Sequence, residues 1–200
     1  MGKVIGIISG GKGCGKTTVS TFLSAALSLL HRRVTLVDLD GAVLKKLGQD
    51  EGAVDKEGIR WEVQTGRSEW KDLAADYVLV DVSALEDEDF TAFDGVIVVV
   101  EARRGGDENL YRCMQILQDH DALELVGILR NQGDAFSTYS EVWFQKMQAY
   151  FPGFIFQTEI PRNYYLAEAN FTLKDKSGQG WHSGFADFLS LAIELIEHEY

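Results

Sequence analysis

Three observations predict an α/β fold in which a doubly wound, mostly parallel sheet carries helices on both faces. Short apolar runs alternate with helix-length segments, a glycine-rich loop joins the first run to the first helix, and carboxylates close several later runs. The runs lie at residues 4–8, 34–37, 77–81, 96–100 and 125–129, with a weaker one at 154–160. They lack polar alternation, as suits parallel strands buried on both faces. Between them, residues 17–30 place Val19, Phe22, Leu23, Ala26, Leu27 and Leu30 at helical spacing, and further helices are expected at 86–93, 108–118, 137–150 and 182–197. The acidic, glycine-containing stretch 48–58 reads as a surface loop before a weak strand at 59–63, and 174–180 as a loop before the last helix. A hydrophobic content of 46% over 200 residues, with no Pro/Gly/Ser-rich linker, predicts one domain spanning 1–200.

The loop reads Ser9-Gly10-Gly11-Lys12-Gly13-Cys14-Gly15-Lys16-Thr17-Thr18 and matches G-x-x-x-x-G-K-[ST] between a strand and a helix. Glycines at 10, 11, 13 and 15 free the backbone to turn its N–H groups onto phosphate oxygens, and the helix behind adds its positive end. Lys16 is expected to bridge the β- and γ-phosphates, Thr17 to complete the coordination of a Mg²⁺, and Thr18 to reach the α-phosphate. Cys14 supplies backbone. The motif predicts a P-loop NTPase.

Asp81 ends an apolar run, where it can hold a water of the Mg²⁺ shell. Asp38 and Asp40 stand two apart, which in an extended segment puts both carboxylates on one face, toward the cradle. One of them is expected to orient the attacking water and the other to steady the loop or the metal shell.

Nineteen Lys+Arg against 31 Asp+Glu give a net charge of −12, which disfavours non-specific DNA and anionic membrane as partners. The sequence enters its first strand directly, with no signal peptide and no apolar run near the ~20 residues that span a bilayer, so a cytoplasmic location is expected. Cys14 and Cys113 lie too far apart in sequence for a C-x-x-C site. The last helix, with Phe185, Phe188, Leu189, Ala192, Ile193 and Ile196 against Asp187, Glu194, Glu197 and Glu199, is acidic and reads as core packing, with no membrane anchor. The aromatics Trp143, Phe144, Tyr150, Phe151, Phe154 and Phe156 also read as core. The basic spots Arg32-Arg33, Lys45-Lys46, Arg103-Arg104 and Lys174/Lys176 read as solvated faces.

Taken together, the loop, V-D-L-D at 37–40, D-Y-V-L-V-D at 76–81, G-V-I-V-V-V at 95–100, G-I-L-R-N at 127–131 and I-P-R-N-Y-Y-L-A-E-A at 160–169 resemble the deviant-Walker ATPases of the ParA/MinD type, over the whole chain. The length is most similar to that of the small ParA proteins. The resemblance implies that Asp40 positions the hydrolytic water, that Asp81 serves the Mg²⁺ shell, that Asn131 reads adenine, and that Pro161 and Arg162 close over the base. It also implies an ATP-dependent homodimer and a protein partner that stimulates hydrolysis.

One exchange departs from the family, which writes S-G-K-G-G-x-G-K-T with a signature lysine that crosses to the partner's nucleotide. Here Gly11 holds that place and Lys12 follows. Either Lys12 reaches across from one position later, or the trans contact is lost. The first outcome predicts a cycling ATPase that partitions or positions a DNA or protein cargo. The second predicts a nucleotide-dependent regulatory or assembly factor with slow or no hydrolysis.

Overall fold

The computed structural model describes residues 2–66, 70–86, 88–101, 106–133, 138–163, 166, 172–174 and 180–198. Arg103, Arg104, Ser137, Tyr164, Tyr165, residues 167–169, Lys176 and Glu199 lie outside the described residues.

Among the described residues eight strands form one sheet: β1 (Lys3–Ile8), β2 (Val34–Asp38), β3 (Gly52–Lys56), β4 (Ile59–Thr65), β5 (Tyr77–Asp81), β6 (Gly95–Val100), β7 (Glu124–Gly133) and β8 (Ile155–Pro161). Their order is β3-β4-β2-β5-β1-β6-β7-β8, and every neighbouring pair is parallel except β3 with β4. The chain builds one half of the sheet before β6 and the other half after it, so β1 lies at the point of reversal, where such sheets open a crevice beyond their carboxyl ends. The expected doubly wound architecture is present.

Period-two alternation sends β1, β5 and β6 into two cores. Ile5, Ile7, Leu79, Ile97 and Val99 face α1 (Lys16–Leu29) and α5 (Ser183–Glu197). Val4, Ile8, Val78, Val80, Val96 and Val98 face α3 (Gly106–Asp119) and α4 (Thr138–Tyr150). Between α1 and α5 the rings of Phe22 and Phe188 stack at 5.3 Å. Burial extends around α1 from Val19 to Ala26 and Leu27, taking in Ser20, Thr21 and Ser24, whose hydroxyls donate to carbonyls one turn back.

Several expectations need correction. The stretch 48–58 is not all loop: β3 pairs with β4 as a hairpin, turned at Glu57 (φ 58°) and Gly58 (φ 85°). Two successive positive φ values are what a tight hairpin turn requires, and only Val54 in β3 is buried, so apolar alternation gave little signal. Of the helix expected at 86–93, the described residues form one 3-10 turn, Phe90–Ala92, capped by Asp89. There Phe90, Phe93 and Trp70 form an aromatic cluster with centroids 5.3–5.4 Å apart, which anchors the segment without a helix. In α5 the buried stripe is Phe185, Phe188, Leu191, Ala192 and Leu195, while Ile193 turns outward at 45% exposure. Of the clustered aromatics, Trp143 and Phe156 are buried but Tyr150 and Phe154 are exposed.

Candidate functional site

The loop from Ser9 to Gly15 leaves β1 and enters α1 at Lys16. Gly13 (φ 80°) and Gly15 (φ 84°, the helix N-cap) adopt left-handed backbone, which only glycine does without strain. Gly15 has a second constraint, since a β-carbon there would lie 2.3 Å from Asn131 Nδ2.

Several of the loop's carbonyls are engaged by side chains. Ser9 Oγ donates to Gly11 O at 2.7 Å, Gln132 Nε2 to Gly13 O at 3.0 Å and Asn131 Nδ2 to Cys14 O at 2.6 Å. The first N–H groups of α1 have no acceptor within the helix, so the N–H side of the loop is what it offers an anion. Lys16 Nζ rests on Ser9 Oγ at 3.1 Å. Lys12 is exposed at the crest.

The carboxylates converge from β2 and β5, whose register sets Asp38 opposite Asp81. Asp38, Asp40 and Asp81 each bring an oxygen within 4.8 Å of the others. Asp81 Oδ2 accepts from Thr17 Oγ1 at 2.7 Å, while its buried Oδ1 has no hydrogen-bond partner. Burial pushes the Asp81 carboxyl up to about 6, with the Thr17 hydroxyl and the Lys16 ammonium opposing the rise. An orphaned buried oxygen beside a hydroxyl and two further carboxylates fits a hard divalent cation that keeps several waters. Asp38 has both oxygens in use, accepting from Gly41 N at 3.0 Å and Leu44 N at 2.8 Å at the start of α2 (Ala42–Leu47). Asp40 is exposed and accepts from Ala42 N at 3.1 Å.

On the other side of the loop lies a cavity of about 340 Å³ whose lining includes Gly15, Thr18, Asn131, Gln132, Pro161 and Arg162. A carbonyl can only accept, so the bond to Cys14 O fixes Asn131 with its amide nitrogen on the loop and leaves Oδ1 as an acceptor. The structure therefore gathers Asn131, Pro161, Arg162 and Thr18 at one wall, and Lys16, Thr17, Asp38, Asp40 and Asp81 beyond it. Sequence reasoning missed Gln132, which stands in left-handed backbone (φ 55°) with its amide on the loop. Its neighbour Asn131 at a strand end is the nearest signal.

A parallel sheet with a phosphate loop at its switch point and carboxylates beyond the carboxyl ends of β2 and β5 defines a P-loop nucleotide-binding protein. Residues 5–173 match the CobQ/CobB/MinD/ParA nucleotide binding domain, and the chain belongs to that family. The chromosome-partitioning ATPase Soj of Thermus thermophilus is 30% identical, covering 78% of this chain and 80% of that protein. The sporulation initiation inhibitor protein Soj of Bacillus subtilis is 26% identical over 84% of this chain and 88% of its own. Among solved structures, the MinD cell division protein of Aquifex aeolicus superposes with TM-score 0.75 at 19% identity, covering 98% of this chain and 97% of that one. Cobyrinic acid a,c-diamide synthase of Mycobacterium smegmatis, with bound ATP analog and magnesium, gives 0.71 at 21% identity, covering 99% and 95%. These two share the fold. Among the described residues no helix is long and apolar enough to cross a membrane.

Proposed function

We propose that this chain is a Mg²⁺-dependent ATPase that pairs with a second copy around ATP and releases a partner on hydrolysis, in the service of partitioning or positioning a DNA or protein cargo. The observation that carries the reading is the convergence of Lys16, the Thr17–Asp81 pair and Asp40 beside a loop whose carbonyls are engaged. The relatives' names point the same way: the Thermus thermophilus protein is a chromosome-partitioning ATPase.

In this reading Asn131 Oδ1 accepts from the exocyclic amine of adenine, an interaction that guanine, with a carbonyl in that place, cannot provide. Pro161 and Arg162 flank the base, and Thr18 and Lys16 contact the phosphates. Thr17 and Asp81 would hold the Mg²⁺, which supplies charge neutralisation on the phosphate oxygens. Asp40, exposed and carrying one bond to Ala42 N, orients the attacking water. Asp38, spent on two N–H groups, steadies the start of α2. Catalysis is then positioning and charge neutralisation.

A second reading, a nucleotide-dependent regulatory or assembly factor with little hydrolysis, is favoured by Gly11, which brings no charge to a partner's nucleotide. Molar mass in solution with Mg²⁺ and ATP, ADP or no nucleotide, with phosphate release on the same samples, separates the two. A dimer in ATP alone with turnover is expected, and Lys12 then does the work of the displaced lysine. A monomer that binds ATP without turnover overturns the cycling reading in favour of the second. A steep salt dependence of duplex-DNA binding, seen with ATP only, would identify DNA as the track or cargo despite the net charge.

A further inference from the structure

Three residues on one face of α3, spaced i, i+3 and i+4, meet the first glycines of the phosphate loop. The backbone of Asn109 passes so close that a β-carbon at Gly10 would stand 2.0 Å from its carbonyl oxygen. The Asn109 side-chain amide occupies the space beside Gly11, 2.6 Å from where a β-carbon would sit. Arg112 Nη1 donates to Gly10 O at 2.6 Å, and its Nη2 pairs with Glu86. Cys113, buried behind them, lies against the backbone of Gly10.

These contacts set the two exchanged positions, 11 and 12, in different surroundings. Position 11 faces the Asn109 amide, which a side chain there would have to displace, and position 12 is open to solvent. They also put a second charge nearby. Arg112 and Glu86 line a small cavity of about 110 Å³ together with Ser9, Gly11, Lys12 and Lys16. The base cavity is lined instead by Gly15 and Thr18, so the two cavities lie at opposite ends of the loop.

We infer that Arg112 is a positioning residue for the terminal phosphate, holding the Gly10 carbonyl out of the cradle and bringing in cis a guanidinium, itself paired with Glu86, to the side where Gly11 carries no charge. The inference rests on the ATP reading above. A guanidinium suits the task because its planar fork serves two acceptors at once, here a carbonyl and a carboxylate, and it stays charged at every working pH. With that charge built into the same chain, preference for a triphosphate does not wait for a second copy to arrive.

The test uses the full chain with Mg²⁺ and compares affinities for ATP and ADP by calorimetric titration, with Tm measured alongside. Arg112 is half-exposed, so Arg112→Gln should fold. Loss of a charge-assisted bond predicts ATP affinity down about tenfold or more in Arg112→Gln. ADP affinity should stay within about threefold, so the ATP-to-ADP ratio falls. Arg112→Lys, which keeps the charge and one donor, should recover part of that ratio. A merely structural role would weaken both nucleotides together or lower Tm alone, and a ratio equal to the wild type's in Arg112→Gln overturns this inference only. A wild-type chain that binds neither nucleotide overturns the ATP reading, and this inference with it.

Discussion

At its base-side end the phosphate loop hangs from two neutral amides, Asn131 on Cys14 O and Gln132 on Gly13 O. Its opposite end hangs from a guanidinium, Arg112 on Gly10 O, which is itself paired with Glu86. The amides come from β7, inside the sheet, whereas the guanidinium comes from α3, a helix on one face of it. The base-side end keeps the pattern of the ParA/MinD resemblance, and the end that departs from it, at Gly11-Lys12, is the one braced by a charge. Where the loop meets a rigid strand, neutral hydrogen bonds suffice. Where it meets a helix, the brace is a charged side chain that is itself held by a second one.

The comparison can be broken first at Gly10. Gly10→Ala drives a β-carbon into the Asn109 backbone, which no rotamer change relieves. ATP affinity should fall by about 100-fold or more, and stability by about 3 kcal/mol, as overpacking against backbone does. Denaturant melts and nucleotide titration read the two effects, and a wild-type affinity would show that α3 does not constrain the loop.

A smaller effect is expected at the other end. Asn131→Ala strips the partner from the Cys14 carbonyl and removes the acceptor facing the cavity, a loss of about 1–3 kcal/mol that should appear as roughly tenfold weaker ATP binding. Competition between ATP and GTP sharpens the point, because the preference for adenine should shrink with it. An unchanged preference would move base recognition away from Asn131.

The smallest effect lies away from both ends, where β2 and β5 begin. Asp76 accepts from Arg33 N and pairs with its guanidinium at 2.6 Å, and these contacts hold the carboxyl down at about 2. A carboxyl lowered on folding stabilises above its unfolded value of about 3.8, and that contribution is lost as pH falls from about 4 towards 2. The pair is exposed and screened. Asp76→Asn should therefore lower Tm at pH 7 by no more than about 2–3 °C, with the difference fading near pH 2 and with nucleotide affinity untouched. A Tm difference that persists at pH 2 would assign the effect to the Asp76 backbone neighbourhood instead.

How much of this was legible in the sequence follows from the range of the contacts. The loop, Asp81 and Asn131 announce themselves because each closes a run of apolar residues that must be a buried strand, and strand ends are where ligands bind such sheets. The brace from Arg112 to Gly10 spans 102 residues, and no local pattern marks α3 as the helix that passes the loop. Gln132 escaped notice because left-handed backbone at a glutamine has no composition signal. The β3–β4 hairpin was hidden by a strand with one buried side chain, and the 86–93 segment looked helical because its two phenylalanines, set three apart, serve an aromatic cluster as well as they would serve a helix face.

The short helix α2 has a consequence of its own. At its start Asp38 accepts from the N–H groups of Gly41 and Leu44, and near its end Lys46 Nζ donates to the Leu166 carbonyl at 2.8 Å, in the wall of the cavity beside Asn131. The six residues are thus a crossbar fastened at both ends, one to the acid cluster and one to the lining of that cavity. A ligand that shifts Leu166 must either carry Lys46 with it or strand a half-buried ammonium. The acid cluster and that cavity are thereby joined by a short path that lies outside the phosphate loop.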